Sequence, residues 1–381
     1  MLPASERLLL GPGPSMMSPR VMRAFGAPML SHLDPEFVPV MDDLRARLAR
    51  VGKAADGAFT FAMSGTGTSA MEVAVANFVQ PGTRVLSIVG GYFGARLVDM
   101  AKRYGGEVTQ LDVEWGRAVD PAAVQQALAH GGADVVTVVH AETSAGVLNP
   151  VQAVAAAAHK AGALVIVDAV TSLGGMPLDT GGWNLDVVYS CSQKCLGAPS
   201  GMSPVLVSAA AMGRRVPCRS FYLDLQLLED YWVRRKYHHT MCASMVYALR
   251  EALAAVEDEG LEARWARHER HHRAFAAGIE AMGLSLLPAE GDRLWTLNAV
   301  RVPDGVDEAA VRKHLLQHFN MEIGAGLGPL AGRIWRIGLM GASSTPGLVV
   351  QCLGALEQAL GNQGYKVAPG AGTAAALAAL V

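Results

Sequence analysis

Charge is scarce in this chain of 381 residues: 17% of positions are Asp, Glu, Lys or Arg, and 32 basic against 34 acidic residues leave a net charge of -2. No basic block exceeds Arg234-Arg235-Lys236, so nucleic acid is not an expected partner. Cysteine is sparse too. The five cysteines (Cys191, Cys195, Cys218, Cys242, Cys352) form neither a CxxC pair nor a dense framework, which fits reduced thiols in a reducing compartment. Long apolar runs are missing except in the alanine-rich tail, and Thr373 to Val381 is too short to span a bilayer. The segment Met-Leu-Pro-Ala-Ser-Glu-Arg lacks a basic region followed by an apolar one, and Ala-Ala-Leu-Val is not a peroxisomal address. A cytoplasmic location without membrane contact is the expectation.

What is abundant is apolar matter, at 51% of positions, enough for an ample core. Between about 58 and 210, short apolar runs alternate with amphipathic ones. Strands are predicted at 84–89, 107–112, 134–139, 163–168, 186–189 and 204–207, and helices at about 68–80, 94–104, 121–130 and 151–161. That alternation predicts an α/β fold with a mostly parallel sheet covered by helices, whose chemistry collects at the carboxyl ends of the strands. After about 240 the rhythm changes to helices at 242–257 and 261–282. Shorter elements follow, with strands predicted at 284–287, 296–302, 321–323 and 333–337 and helices at 307–318 and 346–361. The expected division is an arm over 1–20, a large domain over 21–262 and a small C-terminal α+β domain over 263–381.

Three pieces of chemistry sit in this pattern. Gly65-Thr66-Gly67-Thr68 lies where an extended run turns into a helix, a place whose free amides and dipole favour phosphate. An ordinary helix cap is the plainer reading of the same residues. The stretch also matches the dinucleotide pattern G-x-G-x-x-A, yet no acid follows at the ribose-binding distance of roughly 20 residues, so a nicotinamide cofactor is not expected. Asp168 ends the most apolar strand, where an unpaired carboxylate is costly. Lys194 follows one strand later in Cys191-Ser-Gln-Lys-Cys-Leu-Gly-Ala-Pro-Ser-Gly201. By itself such a lysine binds phosphate, pairs with Asp168, or forms an imine with an aldehyde. Together, a carboxylate for a pyridine nitrogen, a phosphate-gripping helix start and a Schiff-base lysine are the parts needed for pyridoxal 5'-phosphate.

With these residues in view, the chain resembles the class V aminotransferase family of fold-type I pyridoxal-phosphate enzymes, nearest its alanine-glyoxylate and serine-pyruvate members. The resemblance runs through Leu8-Leu-Leu-Gly-Pro-Gly-Pro-Ser15, Ser64-Gly-Thr-Gly-Thr68, His140-Ala-Glu-Thr-Ser-Ala-Gly146, Val167-Asp-Ala-Val-Thr-Ser-Leu-Gly-Gly175, Ser192-Gln-Lys194, Tyr237-His-His-Thr240 and Trp335-Arg-Ile-Gly338. It implies that Lys194 forms the Schiff base, Asp168 pairs with the ring nitrogen, Val170 packs beneath the ring, Phe93 stacks on it and Thr143 lies near the phenolic oxygen. Thr66, Gly67, Thr68 and Gln193 would hold the phosphate, joined by Tyr237 and Thr240 from the other subunit of a homodimer. Arg336 would fork onto the substrate carboxylate, with Gly13 and Pro14 folded over the site.

The implied reaction is transfer of the amino group of alanine or serine to glyoxylate or pyruvate. Serine-glyoxylate, aminoethylphosphonate or pyridoxamine-pyruvate exchange stand as alternatives on the same scaffold, and a non-catalytic cofactor-binding module as a remote one. No metal is expected: His268, His271 and His272 fall in a very polar helical stretch without an accompanying acidic or cysteine ligand cluster. Cys352, inside a predicted apolar helix, argues against desulfuration, and Cys191 and Cys195 receive no role.

Overall fold

A computed structural model describes residues 6–381. Its first strand, β1 (Leu8–Leu9), precedes helices α1 (Pro19–Phe25) and α2 (Phe37–Val51). The sheet-forming region then runs β2 (Phe59–Ser64), α3 (Gly67–Ala76), β3 (Arg84–Val89), α4 (Tyr92–Arg103), β4 (Glu107–Asp112), α5 (Pro121–Gly131) and β5 (Val135–Val139). A hairpin of β6 (Ala141–Glu142) and β7 (Val147–Leu148) leads through α6 (Val151–Lys160) to β8 (Leu164–Asp168), β9 (Val187–Tyr189) and β10 (Met202–Val207). Seven of these strands form one sheet in the order β2-β10-β9-β8-β5-β3-β4. Only β10 runs antiparallel to its neighbours. Every residue of β5 and β8 is buried, as the unbroken runs VVTVV and LVIVD require of strands covered on both faces.

Helix starts follow local chemistry. Ser18 caps α1 ahead of Pro19 and Asp120 caps α5 ahead of Pro121, each side chain accepting from an amide of the first turn.

Beyond the sheet come α7 (Ala209–Met212), α8 (Leu225–Trp232), α9 (Ala243–Glu259) and α10 (Leu261–Ala281). The rest is β11 (Leu297–Arg301), α11 (Glu308–Phe319), β12 (Met321–Glu322), β13 (Gly324–Ala325), β14 (Ile334–Gly338), α12 (Pro346–Gly361) and α13 (Ala371–Leu380). Strands β11, β14 and β13 make an antiparallel sheet over a second core, in which Phe275 and Ile279 meet Trp335, Ile337, Leu353 and Leu356. Leu10 belongs to this core, because β1 pairs parallel with β12.

Three elements depart from expectation. The run 284–287 makes only an isolated bridge, Leu286 to Val300, since Pro288 follows and has no N–H to extend the ladder. The alanine-rich tail is α13, packed on α10 where two glycines let backbones meet: a Cβ on Gly278 would stand 2.8 Å from the Gly372 carbonyl. Within α10 the polar composition hides a buried face of His268, His271 and His272. Among the described residues no group of His, Cys, Asp and Glu is arranged to hold a metal, and no helix is long and apolar enough to cross a membrane.

Candidate active site

The carboxyl ends of β2, β8 and β9 deliver their loops to one edge of the sheet. There a cavity of about 170 Å³ is lined by Thr66, Gly67, Thr68, Phe93, Thr143, Asp168, Val170, Gln193 and Lys194. Residues more than a hundred positions apart in sequence thus share one wall, with Arg96 and Cys191 among their neighbours.

Asp168 is buried and carries two donors: the Val170 amide at 2.9 Å on one oxygen and the Tyr189 hydroxyl at 2.9 Å on the other. Burial outweighs both and lifts its carboxyl to about 7, with Glu142 adding to the rise. A carboxyl so placed gains by meeting a cation. Lys194 projects from the loop after β9, and burial lowers its pKa, which favours the nucleophilic free amine. Its Nζ donates to the Pro12 carbonyl, and its own carbonyl accepts from the Ser15 hydroxyl at 2.6 Å.

The opposite end of the cavity suits an anion. Thr66 enters α3 in extended conformation without a side-chain cap bond, so the first amides of the helix have no intrahelical partner. Gly67 keeps the approach close, since a Cβ there would meet Val170 Cγ2 at 3.2 Å and Cys191 Cβ at 3.3 Å. Gln193 Oε1 is buried without a hydrogen-bond partner, so nothing there opposes a turn of the side chain that would present its NH2 donor instead. Open helix amides, a cation-seeking carboxyl and a desolvated lysine fit pyridoxal phosphate, whose phosphate, ring nitrogen and aldehyde call for that set.

Other expected residues lie around this cavity rather than in its wall. Gly13 crosses directly over Lys194; a side chain on it would collide with the lysine stem, and Pro14 follows immediately. Arg336, on β14, is buried except for 7%, donates from Nε to the Ala325 carbonyl at 2.6 Å, and adds to the lowering of the Lys194 pKa. Burial brings the Arg336 pKa down to about 10, although Glu142 pulls the other way. Tyr237 and Thr240 are not brought to the cavity of their own chain. Tyr237 is 63% exposed, and its hydroxyl lies 3.4 Å from that of Thr240.

Several contributors escaped the sequence reading. Tyr189 holds Asp168. Glu142, buried and raised in pKa chiefly by burial, accepts from the Ser144 hydroxyl at 2.6 Å and from the Gly94 amide at 3.2 Å, which ties the turn bearing Phe93 to the β6–β7 hairpin. Ser15 holds the backbone of Lys194. The only signal for Glu142 was its place in His140-Ala-Glu-Thr-Ser-Ala-Gly146; for Tyr189 it was a polar tip on an otherwise apolar strand. Cys195, by contrast, donates to the Thr171 carbonyl at 3.1 Å, and burial holds its thiol up at about 12, as befits an inert packing residue.

The family model described as aminotransferase class-V matches residues 13–331. The chain is 36% identical over 395 aligned residues to the (S)-ureidoglycine-glyoxylate transaminase of Bacillus subtilis (strain 168), covering 97% of this chain and 94% of that one. Among solved structures, alanine-glyoxylate aminotransferase from Nostoc sp. superposes with a TM-score of 0.92 at 44% identity, covering 94% and 96% of the two chains. Pyridoxamine-pyruvate aminotransferase from Mesorhizobium loti gives 0.94 at 33% identity, covering 100% and 98%.

Proposed function

Because the chain belongs to the class-V aminotransferase family, we propose that it moves the amino group of a small amino acid, alanine or serine, onto a small 2-oxo acid, glyoxylate or pyruvate. The enzyme depends on pyridoxal phosphate. The observation that carries the reading is the convergence of Lys194, Asp168 and the uncapped start of α3 on one cavity. Glyoxylate is the acceptor named for both the Bacillus and the Nostoc relatives, whereas their named donors differ.

When bound, the cofactor supplies the electron sink that makes the substrate α-proton removable. The chain does the rest. Thr66, Gly67, Thr68 and Gln193 would hold the phosphate, and Phe93, Val170 and Thr143, which line the same cavity, would hold the ring. Asp168, held by Tyr189 and the Val170 amide, would keep a proton on the ring nitrogen. Lys194 Nζ takes the proton from the donor's Cα and returns one to the acceptor's carbon, its lowered pKa suiting it to both duties. Arg336 orients the substrate carboxylate through its guanidinium fork. The 11–15 segment lying over Lys194 limits the side chain admitted, which supports a small donor.

The reading includes a homodimer in which Tyr237 and Thr240 complete the partner's phosphate site. Supporting it, Tyr237 stands exposed away from its own cavity, in a surface that also bares Leu33, Phe221 and Tyr222. It also includes an arm over 1–20, of which 1–5 lie outside the described residues, a large domain over 21–262 and a small one over 263–381, the two domains supported by the two separate cores, and a cytoplasmic location, supported by five free thiols.

The test is a visible spectrum of the purified enzyme titrated separately with alanine, serine, aspartate and aminoethylphosphonate. Alanine or serine should bleach the band of the bound cofactor and glyoxylate should restore it. Bleaching by aspartate or aminoethylphosphonate alone would replace the proposed donor.

A further inference from the structure

We infer that Arg96 supplies the positive charge for the cofactor's phosphate and orients the Thr68 hydroxyl toward it. This rests on the cofactor assignment above and adds a residue to it. A phosphate monoester carries roughly 1.5–2 negative charges at neutral pH. Every group so far assigned to it is neutral: the hydroxyls of Thr66, Thr68, Tyr237 and Thr240, the Gln193 amide and the amides of a helix start. The cations in the cavity wall are Lys194, committed to the aldehyde end, and Arg96.

Arg96 lies one turn into α4, three residues after Phe93. Its guanidinium carbon stands 5.2 Å from the ring centroids of both Tyr92 and Phe93, so two aromatic side chains fix where the charge sits. Among the described residues it has no carboxylate within the 4.0 Å of a salt bridge, whereas the cleft arginines Arg264 and Arg267 both pair with Glu259. What it has is Thr68. Arg96 Nη1 donates to Thr68 Oγ1 at 3.2 Å. A hydroxyl that accepts from an arginine keeps its own hydrogen free to donate, and that hydrogen is then available to an acceptor at the start of α3. A guanidinium without an acidic partner, bonded to the hydroxyl beside open helix amides, presents positive charge and N–H donors suited to a phosphate.

The test is binding rather than turnover. Cofactor-free wild type, Arg96→Gln and Arg96→Lys are titrated with pyridoxal phosphate and with unphosphorylated pyridoxal, following the visible band formed at Lys194. Arg96→Gln should lose about 10- to 100-fold in affinity for the phosphorylated form and under about twofold for pyridoxal, while Arg96→Lys recovers at least half of that loss on a logarithmic scale. Equal losses for both ligands, or none for pyridoxal phosphate, would overturn the assignment. So would a raised KM for the amino donor with unchanged cofactor affinity, which would place the charge on substrate. Should Arg96→Gln not fold, Arg96→Lys decides alone: it must retain a preference for pyridoxal phosphate over pyridoxal within about tenfold of wild type. Its binding the two forms equally would overturn the proposal. Failure of wild type to bind either ligand would instead strike the cofactor assignment.

Discussion

Asp168 is a residue whose surroundings make sense only with a cation present. Without cofactor its carboxyl sits near 7, above its ordinary value, so the folded state holds a proton that the unfolded state has lost. The favourable contribution is complete at low pH and is lost as pH rises through about 7. Cofactor-free protein should therefore lose roughly 3 kcal/mol of stability between pH 5 and 8 from this group. Urea unfolding of wild type against Asp168→Asn isolates that slope, and bound cofactor should abolish it if its ring cation meets the carboxylate as proposed. Arg336 offers a second measurement. Lysine in its place keeps charge but not the fork, so Arg336→Lys should raise KM for amino donors by about 30- to 1,000-fold, corresponding to about 2–4 kcal/mol, with a smaller effect on cofactor affinity. Asp168 was legible in the sequence because an acid at the end of LVIVD breaks its local pattern, whereas Arg336 was reached through the resemblance carried by Trp335-Arg-Ile-Gly338. Tyr189, Glu142 and Arg96 were not legible, since each acts across the sheet or between helices that sequence spacing does not bring together.

At the scale of the element, α10 shows how a polar-looking helix can be a core helix. His268 accepts from the Gly341 amide at Nε2 (3.1 Å), which leaves Nδ1 to donate to the Arg264 carbonyl at 2.8 Å. That arrangement requires the neutral ring, and burial lowers its pKa to about 3, with His271 and His272 lowered to about 4. The stability they contribute is present above pH 6.5 and drains away as pH falls toward those values. His268→Gln, which can still donate and accept, should reduce the loss between pH 7 and 5 by about 2 kcal/mol in urea melts. The parallel strands were readable because burial on both faces imposes unbroken apolar runs. The histidine face of α10 was hidden because its residue types are ordinarily polar, and α13 because a helix mostly of alanine has no sided pattern to detect.

For the whole molecule, the paired-site reading makes a prediction that neither chain alone can satisfy. Lys194→Ala and Tyr237→Ala should each be nearly inactive, the first by losing its amine and the second by starving the partner's phosphate site. Mixed after dissociation, they should regain activity approaching about a quarter of wild type, because each hybrid dimer rebuilds one complete site from the two intact contributions. No recovery, with hybrids demonstrated by mass, would mean that Tyr237 serves its own chain. Pairing of this kind is legible only through the resemblance carried by Tyr237-His-His-Thr240; nothing in the pattern of one chain distinguishes a loop waiting for a partner from a loop facing water. The segment that crosses Lys194 has a different consequence, one of timing. Ser15 reaches a partner 179 residues ahead of it, and Leu9 and Met16 bond Ser343 across separations of 334 and 327. On the ribosome these residues leave the tunnel long before Lys194 or Ser343 exists, so the strap must wait as a loose strand while the sheet assembles. The residues around Ser343 give the 9–16 segment its place, and the site should acquire its cover only after they have been made.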